Sequence, residues 1–340
     1  MRDYFLRRLL LIPITLFGIT LIAFFITRLV PGGPIERALA ESQMLDLQGS
    51  SSSTGGGQSA ALSQEQIEQL EKFYGFDKPW YVAYFHWLGH LFTGSLGDSF
   101  RYQEPVWNII SERFPISIYY GLTTLIITYS TCIPLGILKA IRHRTFIDNF
   151  SSILIFAGYA VPGYALGALL VVFFAARLEW FPMGGFTSDD FADLSLPGKV
   201  WDLVHHSFLP LICYLVSSFA LLTLLMKNHL MDNLAADFIR TAIAKGVDFK
   251  TAVVKHALRN SMIPIATNLG QVVGIFMTGS FLIETIFDID GIGLLGYTSI
   301  VDRDYPVVMG VLLLSALLLL IGNILSDICV AMVDPRVRFK

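Results

Sequence analysis

Six runs of mainly apolar residues constrain this chain more than anything else in it: 9–30, 116–140, 150–176, 208–226, 262–287 and 307–330. Each approaches or exceeds the ~20 residues a helix needs to cross the hydrocarbon core of a bilayer. Lipid offers no partner to a backbone N–H or C=O, so only helices and closed barrels span it. The alternating pattern of barrel strands is absent. The expected fold class is therefore an all-α integral membrane protein with six transmembrane helices. Charge supports this, since 15% of residues are charged against about 25% in soluble domains. The net charge of −3 leaves no basic surface for nucleic acid. The run 262–287 differs from the rest in carrying Asn268, Gln271 and Glu284.

Six crossings put both termini on one side, and the basic residues say which. Arg2, Arg7 and Arg8, then Lys139, Arg142 and Arg144, then Lys227, Arg240, Lys245, Lys250, Lys255 and Arg259, and finally Arg336, Arg338 and Lys340 all fall on one face. The short segments opposite are acidic, with Glu179, Asp189, Asp190, Asp193 and Asp202 in one and Asp288, Asp290, Asp302 and Asp304 in the other. The positive-inside rule makes both termini cytoplasmic. The first run follows three arginines, as a signal peptide would. It exceeds the roughly 7–15 residues of such a core and ends in Pro31-Gly32-Gly33-Pro34, so it reads as a retained first span. Cys132, Cys213 and Cys329 all lie in apolar runs and read as small packing residues.

The chain then divides into residues 1–30 (cytoplasmic start and first span), 31–115 (a long outer loop) and 116–340 (a five-helix core). Residues 49–60, GSSSSTGGGQSA, have the composition of a flexible linker. A short helix is expected next: Ser63 with Gln66 forms a capping box, Ile67, Leu70 and Phe73 make a stripe, and Gly75 ends it. Trp80, Tyr81, Tyr84, Phe85 and Trp87 form an aromatic group suited to an interfacial belt, with docking of an outer partner as a second use.

The spans carry almost no ionisable groups in their middles; Arg28, Glu284 and Asp327 sit near ends. Ion-coupled transport usually needs such groups. There is no GxxxxGK[ST] loop, so nucleotide is not bound by that route. Any pumping energy must enter from a separate ATPase through a cytoplasmic element. The segment 227–261 has the length for it. It reads as two helices, 235–245 and 250–260, with Gly246 as a left-handed stop and Asp248 as a cap. Its bases equally suit an amphipathic helix resting on anionic lipid.

At these residues the sequence resembles a known family. Phe238 through Gly246 (FIRTAIAKG), followed by Lys255 through Pro264 (KHALRNSMIP), is similar to the coupling loop of ABC importer permeases of the dipeptide, oligopeptide and nickel branch. Arg240-Thr241-Ala242 stands at the family's Glu-Ala-Ala position, which puts in question any ion pair inferred from that Glu. The likeness runs along the whole chain: Arg7-Arg8-Leu9-Leu10, Tyr74 through Pro79, Gly94 through Ser99, Pro134-Leu135-Gly136, Glu284-Thr285-Ile286-Phe287, Gly291-Ile292-Gly293, Arg303-Asp304-Tyr305-Pro306 and Val333-Asp334-Pro335-Arg336. Gly158 through Pro162, Leu225 through Asn228 and Asn323 through Ile328 narrow it towards permeases of microcin C and oligopeptide importers.

The resemblance implies a type I ABC importer permease fold, and a non-catalytic subunit of an inner-membrane transporter for oligopeptides. Dipeptides or nickel are the alternative cargo, and a secondary transporter acting alone the alternative class. It implies a second homologous permease, two cytoplasmic ATPases and a periplasmic peptide-binding protein as partners. ATP and Mg would be bound by the ATPases, with no cofactor in this chain. Asp237, Arg240, Thr241, Ala242, Lys245, Gly246 and Asp248 would form the ATPase-coupling loop.

Two further residue groups are candidates. Thr267, Asn268, Gln271, Gly274 and Thr278 recur at helical spacing, as a lined pathway or a tight helix seam would require. Glu284, Asp288, Gly291, Gly293, Arg303 and Asp304 fall in 284–306, which reads as a periplasmic gate or as a plain acidic loop. His86 and His90, and His205 and His206, invite a metal; two nitrogens without further ligands make no site, and aromatic neighbours favour a structural role.

Overall fold

A computed structural model describes residues 2–29, 68, 77–277 and 279–333. The linker 49–60, the Ser63–Gln66 cap with its stripe and Gly75, the motif at 31–34, Thr278 and the tail from 334 lie outside the described residues. So do the side chains of Gln271 and Gly274.

The described residues form helices joined by short turns, with no strand beyond one isolated bridge, Asp98 to Pro105. In order they are α1 Arg2–Leu29, α2 Trp80–Phe92, α3 Val106–Ile141, α4 Phe146–Ala160, α5 Gly163–Leu170 with a π turn Val171–Arg177, α6 Leu196–Ala235 and α7 Asp237–Ala244. Then come α8 Phe249–Ala252 with a π turn Val253–Ala257, α9 Leu258–Met277, α10 Phe281–Ile286, α11 Ile292–Val301 and α12 Tyr305–Val333.

Among the described residues three helices are long and apolar enough to cross a membrane: Leu6–Leu29, α3 and α12. Two bent pairs raise this to five if each pair is one span. The first bend, 90° between α4 and α5–Arg177, falls within the run 150–176 that sequence reads as one helix. Its cause is local. Pro162 disfavours helical torsions in the residue before it, and Val161 is extended at φ −96°, ψ 120°. The second, 47° within α6, sits where Ser218 Oγ turns back onto Tyr214 O, a bond that bends helices. The run 262–287 is not one helix either. α9 ends at Met277, Gly279 takes φ +74°, and α10 restarts separately.

Several boundaries differ from the sequence reading. α3 begins at Val106, so the last ten residues assigned to the outer loop are its first turns. α6 starts under a Ser195 cap on the Gly198 N–H and continues to Ala235, so the first part of 227–261 belongs to that long helix.

The chain falls into two compact units: Met1–Ile12, Arg113–Leu295 and Ser315–Lys340 in the first, Pro13–Glu112 and Gly296–Leu314 in the second. Among the described residues the first holds two apolar clusters. One gathers Cys132, Ala140, Leu222, Met226, Leu230, Ile239, Ala252, Ala257 and Ile265; the other gathers Tyr120, Leu209, Cys213, Tyr214, Ile283, Phe287 and Ile289. Within it α9 and α12 approach to backbone contact: a Cβ built at Gly270 would lie 2.6 Å from the Gly322 carbonyl carbon. Ser326 Oγ donates across the same seam to the carbonyls of Ala266 and Thr267. Asp327, near the inner end of its run, pairs with Arg8, and Tyr4 donates to it at 2.9 Å.

In the second unit the aromatic group divides. Tyr84 is fully buried, its hydroxyl 3.0 Å from Thr20 Oγ1 and its ring against Phe24 and Trp87. Tyr81 and Phe85 are exposed. The belt reading therefore fits only part of the group, because α2 needs an apolar face to pack on α1.

Candidate functional site

The coupling candidate is a short helix held at few points. α7 has eight residues, too few to be stable alone in water. One side chain, Ile239 at 2% exposure, anchors it in the cluster with Met226 and Leu230. Asp237, Arg240, Thr241, Lys245, Gly246 and Asp248 are exposed and Ala242 is half-buried. Arg240 lies 3.7 Å from Asp237 across one turn, with both side chains in solvent. Such a pair contributes little.

The end of α7 is fixed by backbone geometry. Gly246 has φ +88°. Its N–H donates to Ile243 O at 2.9 Å, and the Val247 N–H donates to Ala242 O at 3.2 Å. These two bonds are a Schellman motif with glycine at the left-handed position. Val247 then packs against the same cluster as Ile239. Asp248 accepts from the Thr251 N–H at 3.0 Å to start α8, and its hydrogen bonds with Thr251 hold the carboxyl below its ordinary range. α8, its π turn and α9 follow without a break, so the second helix of the loop feeds directly into an apolar helix. Phe238, Ile243, Phe249 and Val254 remain exposed around it.

The outer candidates separate. Glu284, Asp288, Gly291 and Gly293 belong to the first unit; Arg303 and Asp304 belong to the second. The sequence placed Glu284 where it could reach the membrane interface; its side chain is instead 2% exposed. It accepts from the Ser280 N–H at 3.0 Å and the Leu294 N–H at 2.6 Å, so one carboxylate ties the start of α10 to the first turn of α11. Glycines make room for it, since a Cβ at Gly291 would lie 2.6 Å from its Oε2 and one at Gly293 2.9 Å from its Oε1. Backbone N–H groups at helix starts stabilise such an anion. Glu284→Ala removes the acceptor of two partly buried N–H groups, leaving the Ser280 N–H only its longer bond to Tyr214 Oη at 3.2 Å. The expected cost is about 1–3 kcal/mol, visible as a lower melting temperature of the detergent-solubilised protein; an unchanged melt contradicts the staple.

Asp288 is exposed at φ +49°. Asp304 is buried and accepts from Ser99 Oγ and from the Phe100 and Arg101 N–H groups. It orders the loop before α3. Arg303 sits at φ +58°. Of the pathway candidates, Thr267 is exposed with its hydroxyl on Ile263 O at 2.9 Å, and Asn268 is half-buried. The packing residue on this helix is Gly270.

The histidines have local partners. His205 Nε2 lies 2.8 Å from Trp180 O, His206 Nδ1 lies 3.0 Å from Asp202 O, and the rings of His86 and His90 pack edge to face. Among the described residues no group of three or more His, Cys, Asp or Glu could hold a metal.

One constellation escaped the sequence reading. Lys139 and Lys227, counted there only as cytoplasmic charges, converge on Asp148. Lys227 Nζ lies 2.7 Å and 2.9 Å from its two oxygens, and Lys139 Nζ 3.1 Å from Oδ1. Lys139 is fully buried and also donates to Asp148 O, Ser151 Oγ and Ser152 Oγ. The available signal was Asp148 itself, an acid in an otherwise basic segment.

Residues 132–339 match the family model for the binding-protein-dependent transport system inner membrane component. The chain is 39% identical, over all of its length and 99% of the relative, to a peptidoglycan transport system permease protein of Agrobacterium fabrum. It is 37% identical to an inner membrane ABC transporter permease protein of Escherichia coli O157:H7 and 35% identical to an oligopeptide transport system permease protein of Bacillus subtilis, each along the full length of both chains.

Proposed function

We propose, from the premise that this chain belongs to the family of binding-protein-dependent transport system inner membrane components, in its peptide branch of ABC importer permeases, that it is the permease through which ATP hydrolysed elsewhere drives oligopeptide uptake. It crosses the bacterial inner membrane six times, with α9 completing the sixth span and both termini cytoplasmic. A second permease pairs with it. Two ATPases, which bind the ATP and Mg, dock below, and a peptide-binding protein delivers cargo from the periplasm. Peptides of the microcin C class are within the cargo range, in keeping with relatives named for peptidoglycan and oligopeptide transport.

The observation that carries this reading is α7. A single buried anchor, a left-handed glycine stop and a surface mixing Phe238 and Ile243 with Arg240 and Lys245 suit a helix gripped by another protein. When the ATPases close, α7 moves as a lever and the spans rock between inward- and outward-facing states. Glu284, Asp288, Gly291 and Gly293 contribute to the outer gate with Arg303 and Asp304, and Thr267, Asn268, Gln271 and Thr278 to the pathway. Affinity purification in mild detergent tests the assembly. The expected result is co-recovery of a second permease, two ATPases and a peptide-loaded binding protein. Solute transport by the isolated chain refutes the assignment.

A further inference from the structure

We propose that Asp148 is a positioning residue that locks α3, α4 and α6 to the coupling helix, so that these elements move as one body during the transport cycle. The inference rests on the coupling role given to α7 above.

The geometry is a three-way junction. Asp148 lies in the first turn of α4. Its carboxylate takes both contacts of Lys227 on α6, while its oxygens and carbonyl, with Ser151 and Ser152, surround Lys139 on α3. The Arg144 N–H, at 3.0 Å from Oδ2, and His143 Nδ1, at 3.2 Å, complete its surroundings. Lys139 and Asp148 are almost wholly removed from solvent.

This junction sits against the seat of α7. Ile239 packs in one cluster with Met226 and Leu230, which flank Lys227 along α6, and with Ala140, the neighbour of Lys139. One turn earlier, α3 and α6 touch so closely that a Cβ at Gly136 would lie 2.7 Å from Met226 Cβ and 2.9 Å from Thr223 O. A push on Ile239 therefore meets α6, and reaches α3 through the close α3–α6 contact at Gly136. α4 receives it through Asp148 and carries it some 22 Å along its fifteen residues to the bend at Val161-Pro162.

Stability alone is a poor reason for this arrangement. Two ammonium groups and one carboxylate are costly to desolvate, and apolar packing of the same volume often stabilises more. What ion pairs of this kind supply is geometry: Lys227 reaches both oxygens of Asp148 and fixes where the start of α4 meets α6.

Lys227→Gln is the decisive variant. It removes the ionic tie between α6 and α4, which otherwise meet by packing such as Gly158 against Val216, and leaves the Lys139–Asp148 pair balanced. Spin labels at exposed positions on α4 (Phe156→Cys) and at the end of α7 (Ala244→Cys), in a Cys132, Cys213 and Cys329-substituted chain purified as its complex, report the separation of the two helices. The expected wild-type result is one narrow distance, the same without nucleotide and after trapping with ATP and vanadate. In Lys227→Gln the distance broadens and shifts between the two states. Alanine tripeptide uptake per ATP hydrolysed falls about tenfold, within the usual range of a coupling energy, at undiminished basal ATP hydrolysis. Lys227→Arg restores both readouts.

Three results overturn the proposal: an α4–α7 distance that changes with nucleotide in the wild type, a Lys227→Gln distance as narrow and fixed as the wild type's, or a proportional loss of assembly, basal hydrolysis and uptake. Failure of ATPases to co-purify with the wild type refutes the coupling role of α7 instead, and the label distance in the free chain still tests the junction.

Discussion

Gly270→Val is expected to cost at least about 3 kcal/mol, at or beyond the upper part of the overpacking range, and to remove most folded protein. The side chain would start 2.6 Å from the Gly322 carbonyl carbon and 2.9 Å from Asn323 Cα. Those atoms are backbone and cannot rotate aside, so α9 and α12 must separate. Separation also breaks the bonds from Ser326 Oγ to Ala266 O and Thr267 O at 2.8 Å and 2.7 Å. In lipid no hydrophobic force draws two helices together, so small residues and cross-helix hydrogen bonds carry the seam. Gly322→Ala should act through the same contact, because its Cβ would stand 2.5 Å from Gly270 O. The two substitutions share one contact, so the double variant should cost less than the sum of the singles. The check is the monodisperse fraction after detergent extraction. Wild-type yield and melting for Gly270→Val would show that the helices do not meet there.

Gly246→Val should instead leave folding and insertion intact and abolish uptake. Nothing lies within 4 Å of a Cβ built at Gly246, so there is no clash to unfold the protein. The penalty is in the backbone: at φ +88° a side chain costs about 1–2 kcal/mol. The chain relieves it by abandoning the left-handed conformation, and with it the Gly246 to Ile243 and Val247 to Ala242 bonds. α7 then loses its stop and its angle to α8, with Ile239 as its only buried anchor. A graded series is expected. Asn, which tolerates the left-handed region, retains most uptake, Ala loses much of it, and Val loses nearly all, at equal amounts of assembled complex. Peptide uptake and stimulated ATP hydrolysis measure this. Wild-type uptake by the Val variant would separate α7 from coupling.

These two glycines show how unevenly the sequence can be read. Gly246 was legible because its reason is local: helix formers precede it, an acid that caps the next helix follows, and a glycine between them has one common use. Gly270 was not. It sits in a helix of ordinary spacing, and its importance comes from Gly322, fifty-two positions away. The sequence pointed to Gly274 on the same helix and could not say which glycine met a neighbour. The bend at Val161-Pro162 could in principle have been read from the proline alone, yet the unbroken apolar run 150–176 masked it. Glu284 was placed near an interface because an isolated carboxylate at a span end usually reaches water; its actual partners are the N–H groups of Ser280 and Leu294, whose convergence depends on the turn at Gly279.

What the sequence by itself determined is the solvent and the chemistry class. Long apolar runs without central charges demand helices in lipid, and the residues around Gly246 carry the family resemblance. Both depend on local composition and short-range spacing, which a linear reading captures. The tertiary structure decided which charges are neutralised and which helices touch. Lys139, Lys227 and Asp148 are ordinary charges in the linear sequence until α3, α4 and α6 bring them together. Burial and pairing depend on contacts between residues far apart in the chain, and periodicity along one helix carries no record of what lies across the seam.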